Sequence, residues 1–373
     1  MRFPTSALVA AALFAASLAP AGAAYHLPAA GSLVIQKNIA SKIVPRSDAG
    51  KYVNPSAVPL KVKQAAAKRQ IHLPKLHEAR VPGAVTGAVT DDFGYIFWLS
   101  GKKVAGYATD CSGAEGAKTD HNGNVWVACT NTSTINEYAP GATSATLTLV
   151  DNPGGVYYYT ADVAVDSAGD VWASSLYAFS CTTYYCYFYP GQISFWAASN
   201  VTNGASPSGT VADANINEEA FFVDVNPAGS TAYVDYYGCG TYSCGYAADM
   251  ISGTSVSTFI PFGGLSFPGM VYYTGAGNVE VLDQLAIVIT EYSAGGVADG
   301  NFSGPLPENL EFTCDPVSGG YNSGDSMAAT GDAGCHSQDV GKLAAHHGHG
   351  AWKANANINF ALPIGSVFVP SDK

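Results

Sequence analysis

One turn recurs along this chain, each time joining two short apolar stretches. Asp120-His121-Asn122-Gly123-Asn124-Val125-Trp126-Val127 is followed by Asp166-Ser167-Ala168-Gly169-Asp170-Val171-Trp172. Asn226-Pro227-Ala228-Gly229 then leads into Thr231-Ala232-Tyr233-Val234, and Thr274-Gly275-Ala276-Gly277-Asn278-Val279-Glu280-Val281 is a fainter copy. Glycine permits the positive φ that a tight strand–turn–strand needs. The four turn glycines lie 46, 60 and 48 residues apart. A period of 40–50 residues with about four short strands per unit is the mark of a β-propeller. The 283 residues from Asp91 to Lys373 hold about six such units. Five or seven remain open, because the copies at both ends are weak. The expected fold class is therefore all-β, a six-bladed propeller.

Charge divides the chain in two. Residues 25–80 carry ten Lys and Arg against Asp48 and Glu78, a balance of +8, whereas residues 81–373 balance at −21. Before both lies a segment with the pattern of a secretion signal: Arg2, the apolar run Ala7 to Leu18, and the small residues Ala21-Gly22-Ala23. The expected organisation is a signal peptide over 1–23, a disordered, basic, Pro-containing arm over 24–90, and the propeller over 91–373. No later stretch reaches the ~18 apolar residues that span a bilayer. An acidic body repels phosphates, so nucleic acid is not an expected partner. Export, to the periplasm or the exterior, agrees with eight cysteines, an even set best read as four disulfides.

Two of those disulfides announce themselves. Cys181-Thr182-Thr183-Tyr184-Tyr185-Cys186 and Cys239-Gly240-Thr241-Tyr242-Ser243-Cys244 share the pattern Cys-x-Thr-Tyr-x-Cys. Four intervening residues suit a hairpin tip, so each loop is expected to close on itself. By elimination Cys111 pairs with Cys129, around the first clear Gly turn, and Cys314 with Cys335.

The repeat Asp-x-x-Gly-Asn-Val-Trp-Val, followed by Ile135-Asn136-Glu137-Tyr138-Ala139-Pro140-Gly141, resembles that of NHL-type and virginiamycin B lyase-like propellers. The likeness spans roughly residues 95–295. It implies a ring of four-stranded blades around a channel, with binding at one face. Lyases of this kind use a His and acidic residues around a metal, and no blade histidine here falls at a matching place. Some propeller lactonases hold a divalent metal in the channel, and Asp162, Asp224 and Glu280 are the carboxylates that could approach it.

In such a ring, second-to-third-strand loops and blade-to-blade connections emerge on one face. Placed on that scheme, Tyr157 to Tyr159, Tyr272 and Tyr273 gather with Tyr177, Tyr184, Tyr185, Tyr236, Tyr237 and Tyr242. Thirteen of the 22 tyrosines fall between residues 157 and 246, so the clustering exceeds overall abundance. Rigid rings with a polar tip suit stacking on sugars or packing against a protein. Tyr177, Tyr184, Tyr185, Tyr236, Tyr237 and Tyr242 are the candidate binding residues. Trp126, Trp172 and Tyr233 occupy equivalent repeat positions and are expected to fill the wedges between blades. His346, His347 and His349 form a weak metal-binding pattern near His336.

No Gly-x-Ser-x-Gly elbow, His-Glu-x-x-His helix or phosphate loop is present. The expected function is that of a monomeric binding or scaffolding module for an extracellular or envelope glycan or protein. No cofactor is expected. The alternative is a metal-dependent lyase or lactonase, with a divalent metal in the central channel.

Overall fold

A computed structural model describes residues 42–45, 85, 87–91, 94–100, 103–152, 156–211, 215, 216, 218–239, 244–252, 255–273, 277–283, 288–302, 314–322, 325–332, 339–344, 352–357 and 363–368. These residues are almost all β, with two 3₁₀ turns at Thr130–Thr132 and Ala198–Asn200.

A short strand, β1 (Lys42–Pro45), comes first in the chain, and blade 1 begins with β2 (Gly87–Asp91), β3 (Tyr95–Ser100) and β4 (Lys103–Ala108). Blade 2 is β5 (Ala114–Thr119), β6 (Val125–Cys129), β7 (Thr134–Tyr138) and β8 (Leu147–Val150). Blade 3 is β9 (Tyr157–Val165), β10 (Val171–Cys181), β11 (Tyr185–Trp196) and β12 (Gly209–Val211). Blade 4 is β13 (Glu219–Val225), β14 (Thr231–Cys239), β15 (Cys244–Ser252) and β16 (Ser255–Leu265). Blade 5 is β17 (Pro268–Tyr273), β18 (Asn278–Asp283), β19 (Val288–Ser293) and β20 (Ala298–Phe302). Blade 6 is β21 (Cys314–Asn322), β22 (Asp325–Asp332), β23 (Asp339–Ala344) and β24 (Trp352–Asn357). The last strand, β25 (Pro363–Phe368), returns to pair with β2 and completes blade 1.

The six antiparallel sheets form the expected propeller. Their first strands, β25, β5, β9, β13, β17 and β21, touch one another in sequence around the axis. Pairing the last strand with the first blade closes the ring and removes two exposed sheet edges. The propeller begins ahead of residue 91: β2 starts at Gly87, and Val85 is buried in the core between blades 1 and 2. Part of the basic arm also joins the fold, because β1 pairs with β11 at the edge of blade 3.

The turn glycines Gly123, Gly169, Gly229 and Gly277 all have positive φ, between 65° and 89°. The residue three before each of the first three caps its turn. Asp120 Oδ1 accepts the amides of Asn122 and Asn124, and Asp166 Oδ1 those of Ala168 and Asp170. Asn226 Oδ1 does the same for Ser230 and Thr231. The residue after the glycine then ties the turn to the third strand. Asn124 Nδ2 donates to Glu137 Oε1 in blade 2, and Asn278 Nδ2 to Glu291 Oε1 in blade 5.

The core lies between blades, where sheets pack face to face and ring side chains fill a widening wedge. Trp126 is buried with Val163, Val171 and Trp196 between blades 2 and 3. Trp172 packs between blades 3 and 4, and Tyr233 lies against Phe259 and Tyr273 between blades 4 and 5. All three fill the expected wedges.

Candidate binding face

Strand direction sorts the molecule into two ends. The four glycine turns join first strands to second strands at one end. At the other end, second strands turn into third strands and each blade hands over to the next. All three disulfides of the described residues lie at this second end. Cys181–Cys186 and Cys239–Cys244 each join directly paired residues at a hairpin tip, as expected. Cys111–Cys129 ties the approach to β5 to the last residue of β6, again as expected. Cys335, and with it the fourth pairing with Cys314, lies outside the described residues, as do His336, His346, His347 and His349.

Within the first tip, Thr182 organises the loop. Its hydroxyl donates to the Tyr185 carbonyl at 3.1 Å and accepts the Tyr185 amide at 3.1 Å. The fixed turn presents Tyr184 at 76% exposure and Tyr185 at 49%. Tyr157, at the start of β9, is also 49% exposed and stacks on Phe179 at 5.8 Å between ring centroids. Phe179 stacks in turn on Phe188 at 6.2 Å, and Tyr159 lies 4.8 Å from Tyr177. Tyr157 therefore rests on a ladder of rings along β9, β10 and β11, while the closed turn holds Tyr184 and Tyr185. Such a support limits the rotamer freedom that a partner would have to freeze.

The predicted tyrosines divide. Tyr184 and Tyr185 stand in solvent. Tyr177 and Tyr237 are half-buried, the first against Tyr159 and Phe188 and the second 5.0 Å from Tyr246. Tyr236 is a correction: it is 1% exposed, packed in the core between blades 3 and 4 with its ring edge-on to Phe262. Alternate strand residues face opposite sides, so adjacent Tyr236 and Tyr237 cannot both meet the same surroundings. Tyr242 lies outside the described residues. Tyr272 and Tyr273 are also corrected, since they end β17 beside the Gly277 turn and so belong to the opposite end.

Sequence reasoning missed two acidic residues at this face, Glu218 and Glu219. Glu219 is in register with Tyr237, which is in register with Tyr246, so carboxyl and rings form one row across blade 4. Tyr177 completes the surroundings from blade 3. The blades approach closely here: the Gly191 amide donates to the Glu218 carbonyl at 2.6 Å. A Cβ on Gly191 would collide with the Ser175 and Leu176 carbonyls and the Ala220 amide. Burial, and then the charge of Glu218, pushes the half-buried Glu219 carboxyl up to about 7. Burial also raises the Tyr177 and Tyr246 phenols well above their usual range.

The other end of the axis is filled by an ion pair. Lys118, on β5, reaches across the channel to Asp224 on β13, with Nζ 3.2 Å from Oδ2. The same ammonium donates to the Val271 carbonyl at 3.2 Å and lies 4.5 Å over the Tyr272 ring. Asp224 also accepts the amides of Tyr273 at 2.6 Å and Val225 at 2.9 Å. Asp162 lies close by on β9, where burial raises its carboxyl to about 7 against the opposing charge of Lys118. Glu280 is buried on the second strand of blade 5. Among the described residues no three His, Cys, Asp or Glu side chains gather as a metal site. No helix among them is long and apolar enough to cross a membrane.

No family model matches the chain, and no curated protein sequence does. Solved structures do. A chain of a nidogen/laminin complex is similar, with a TM-score of 0.57 at 10% identity, over 78% of this chain and 100% of that one. A streptogramin B lyase gives 0.44 at 12% identity, over 72% and 73% of the two chains. Regucalcin, a calcium-binding protein from Agrobacterium tumefaciens, gives 0.48 at 10%, over 78% and 84%. The resemblance to NHL-type and virginiamycin B lyase-like propellers is one of fold.

Proposed function

We propose that this protein is an exported binding module that engages an extracellular or envelope glycan or protein through its cystine-bearing end. One observation carries the reading. Six large hydrophobic side chains are exposed among the described residues: Tyr157, Tyr184, Tyr185, Phe262, Val256 and Val297. All four aromatic ones sit toward the cystine-bearing end: Tyr184 and Tyr185 on a disulfide-closed tip, Tyr157 stacked on Phe179, and Phe262 edge-on to Tyr236. Exposed rings on a pre-ordered support are what a binding surface requires, since area costs least when it is already rigid. Disulfides at that end suit an oxidising exterior and agree with the secretion-signal pattern. The similar chain from the nidogen/laminin complex belongs to a protein–protein assembly, which is compatible with a protein ligand.

A metal-dependent lyase or lactonase in the channel finds less support. Asp224, one of the carboxylates such a site would use, is engaged by Lys118 and two backbone amides. The test is a glycan array and an envelope-protein pull-down with wild type and the triple variant Tyr157→Ser, Tyr184→Ser, Tyr185→Ser. At least a tenfold loss of retention with unchanged melting temperature is expected. Equal retention by both proteins would dispose of the reading.

A further inference from the structure

We propose that Lys118 and Asp224 condense to an amide, an intramolecular isopeptide bond that ties blade 2 to blade 4 across the axis, with Asp162 as the proton relay. The reacting groups are already in place. Lys118 Nζ lies 3.2 Å from Asp224 Oδ2, one C–O bond from the carbon it must attack. Both side chains are buried, and the Tyr272 ring covers the ammonium at 4.5 Å. Well-oriented groups at such range react as though present at about 10⁵–10⁸ M. The driving force is electrostatic. A buried ion pair retains part of the desolvation cost of both charges, and condensation removes the two charges together.

The step balances within the chain. An ammonium and a carboxylate become a neutral amide and one water. Asp162 takes a proton from the Lys118 ammonium, and the nitrogen lone pair so freed forms the bond to Asp224 Cγ. The carbonyl electron pair moves onto oxygen, where the Tyr273 amide, 2.6 Å from Oδ2, is a fixed donor for the developing charge. A C–O bond then breaks, and its oxygen leaves as water with the protons that the nitrogen has given up. No oxidant or co-reactant is needed.

Asp162 is placed for that relay, on the strand between β5 and β13. Its Oδ2 accepts the amide of Val223, the residue before Asp224, at 3.2 Å. Its Oδ1 is buried without a hydrogen-bond partner and points at β5. There a Cβ on Gly116, two residues before Lys118, would come within 2.0 Å of it. One carboxyl thus meets both reacting strands. Its surroundings also hold the carboxyls of Asp224 and Asp235. A carboxyl raised to about 7 by burial can both accept and return a proton near neutrality.

The product fits the same surroundings. The new amide N–H keeps the Val271 carbonyl that Lys118 meets at 3.2 Å, and the new carbonyl keeps the Tyr273 amide. Donor and acceptor of the cross-link are therefore both satisfied. The bond belongs to the scaffold, and the inference stands without the function proposed above.

The test is the intact mass of the full chain, folded and then reduced and denatured. Wild type should weigh one water less than its sequence requires, and a digest should contain a branched peptide joining Lys118 to Asp224. Lys118→Arg should show the full mass. Asp224→Asn should reach the same final mass as wild type, because ammonia leaves in place of water. Asp162→Asn, with near-UV dichroism as in wild type, should form the bond at least about tenfold more slowly. Full mass for folded wild type overturns the proposal, as does loss of one water without the branched peptide. Equal rates in wild type and Asp162→Asn overturn the relay.

Discussion

The two ends of the propeller are held by different means. At the glycine-turn end, the Gly123, Gly169 and Gly229 turns stabilise themselves: a carboxylate or amide three residues before the glycine collects the turn's amides. Lys118 then links the inner strands of blades 2, 4 and 5 across the axis. At the cystine end the paired strands of blades 3 and 4 are longer, their tips carry tyrosines, and disulfides close the tips, with the Thr182 hydroxyl capping the first. The difference is instructive. Local capping consumes the polar groups that it uses and leaves a closed surface, whereas a cystine holds a loop without consuming its aromatic rings. Rings at the cystine end are therefore free to face solvent, and the charged groups at the other end are not.

The sharpest way to break this comparison is at Lys118. Removing one member of a buried pair typically costs about 3–5 kcal/mol, because the remaining charge is stranded. Lys118→Met should lower the thermal midpoint strongly while ligand retention by the protein that remains folded is unchanged. A loss of retention without loss of stability would move function to the channel. Smaller in stability is the double change Cys181→Ser, Cys186→Ser. So short a loop contributes only about 2 kcal/mol by chain entropy. Here the expected signature is the reverse: a modest drop in midpoint and a faster off-rate for whatever the tyrosines hold. Equal effects on stability and off-rate would mean that the cystine holds the fold rather than the loop.

The smallest effect concerns Glu219. Its carboxyl ionises near 4.5 when unperturbed and near 7 in the fold. The unfolded chain thus releases its proton first, and the group subtracts stability as pH rises through that window. Glu219→Gln removes this loss, so the variant should gain on wild type between pH 4.5 and 7 and hold a constant lead above it. Partial exposure keeps the gain small. A difference independent of pH, measured by denaturant unfolding at several pH values, would place the carboxyl in bulk water.

Much of the glycine-turn end was legible in the chain. Asp120, Asp166 and Asn226 act on amides two to five residues away, and such contacts follow from sequence order alone. A further signal was readable but not used: Asn136-Glu137-Tyr138 recurs as Thr290-Glu291-Tyr292, and Glu137 and Glu291 receive the equivalent asparagines. The cystine tips were legible for the same reason, since paired strands bring residues five apart into direct register.

The candidate site was less so. Tyr236 and Tyr237 are neighbours of one type, and what separates them is the blade each side happens to meet. Glu219 gains its raised carboxyl from burial, and then from the charge of Glu218, at the point where blade 4 meets blade 3.

By itself the sequence determined the repeating unit, the turn geometry and the two tip disulfides, because each is decided within a few residues. Only the tertiary structure decided which rings reach solvent, that Lys118 crosses the axis, and that a strand of the basic arm seals blade 3. Each of these depends on what a distant segment places opposite, and burial and pairing are properties of that meeting rather than of either segment alone.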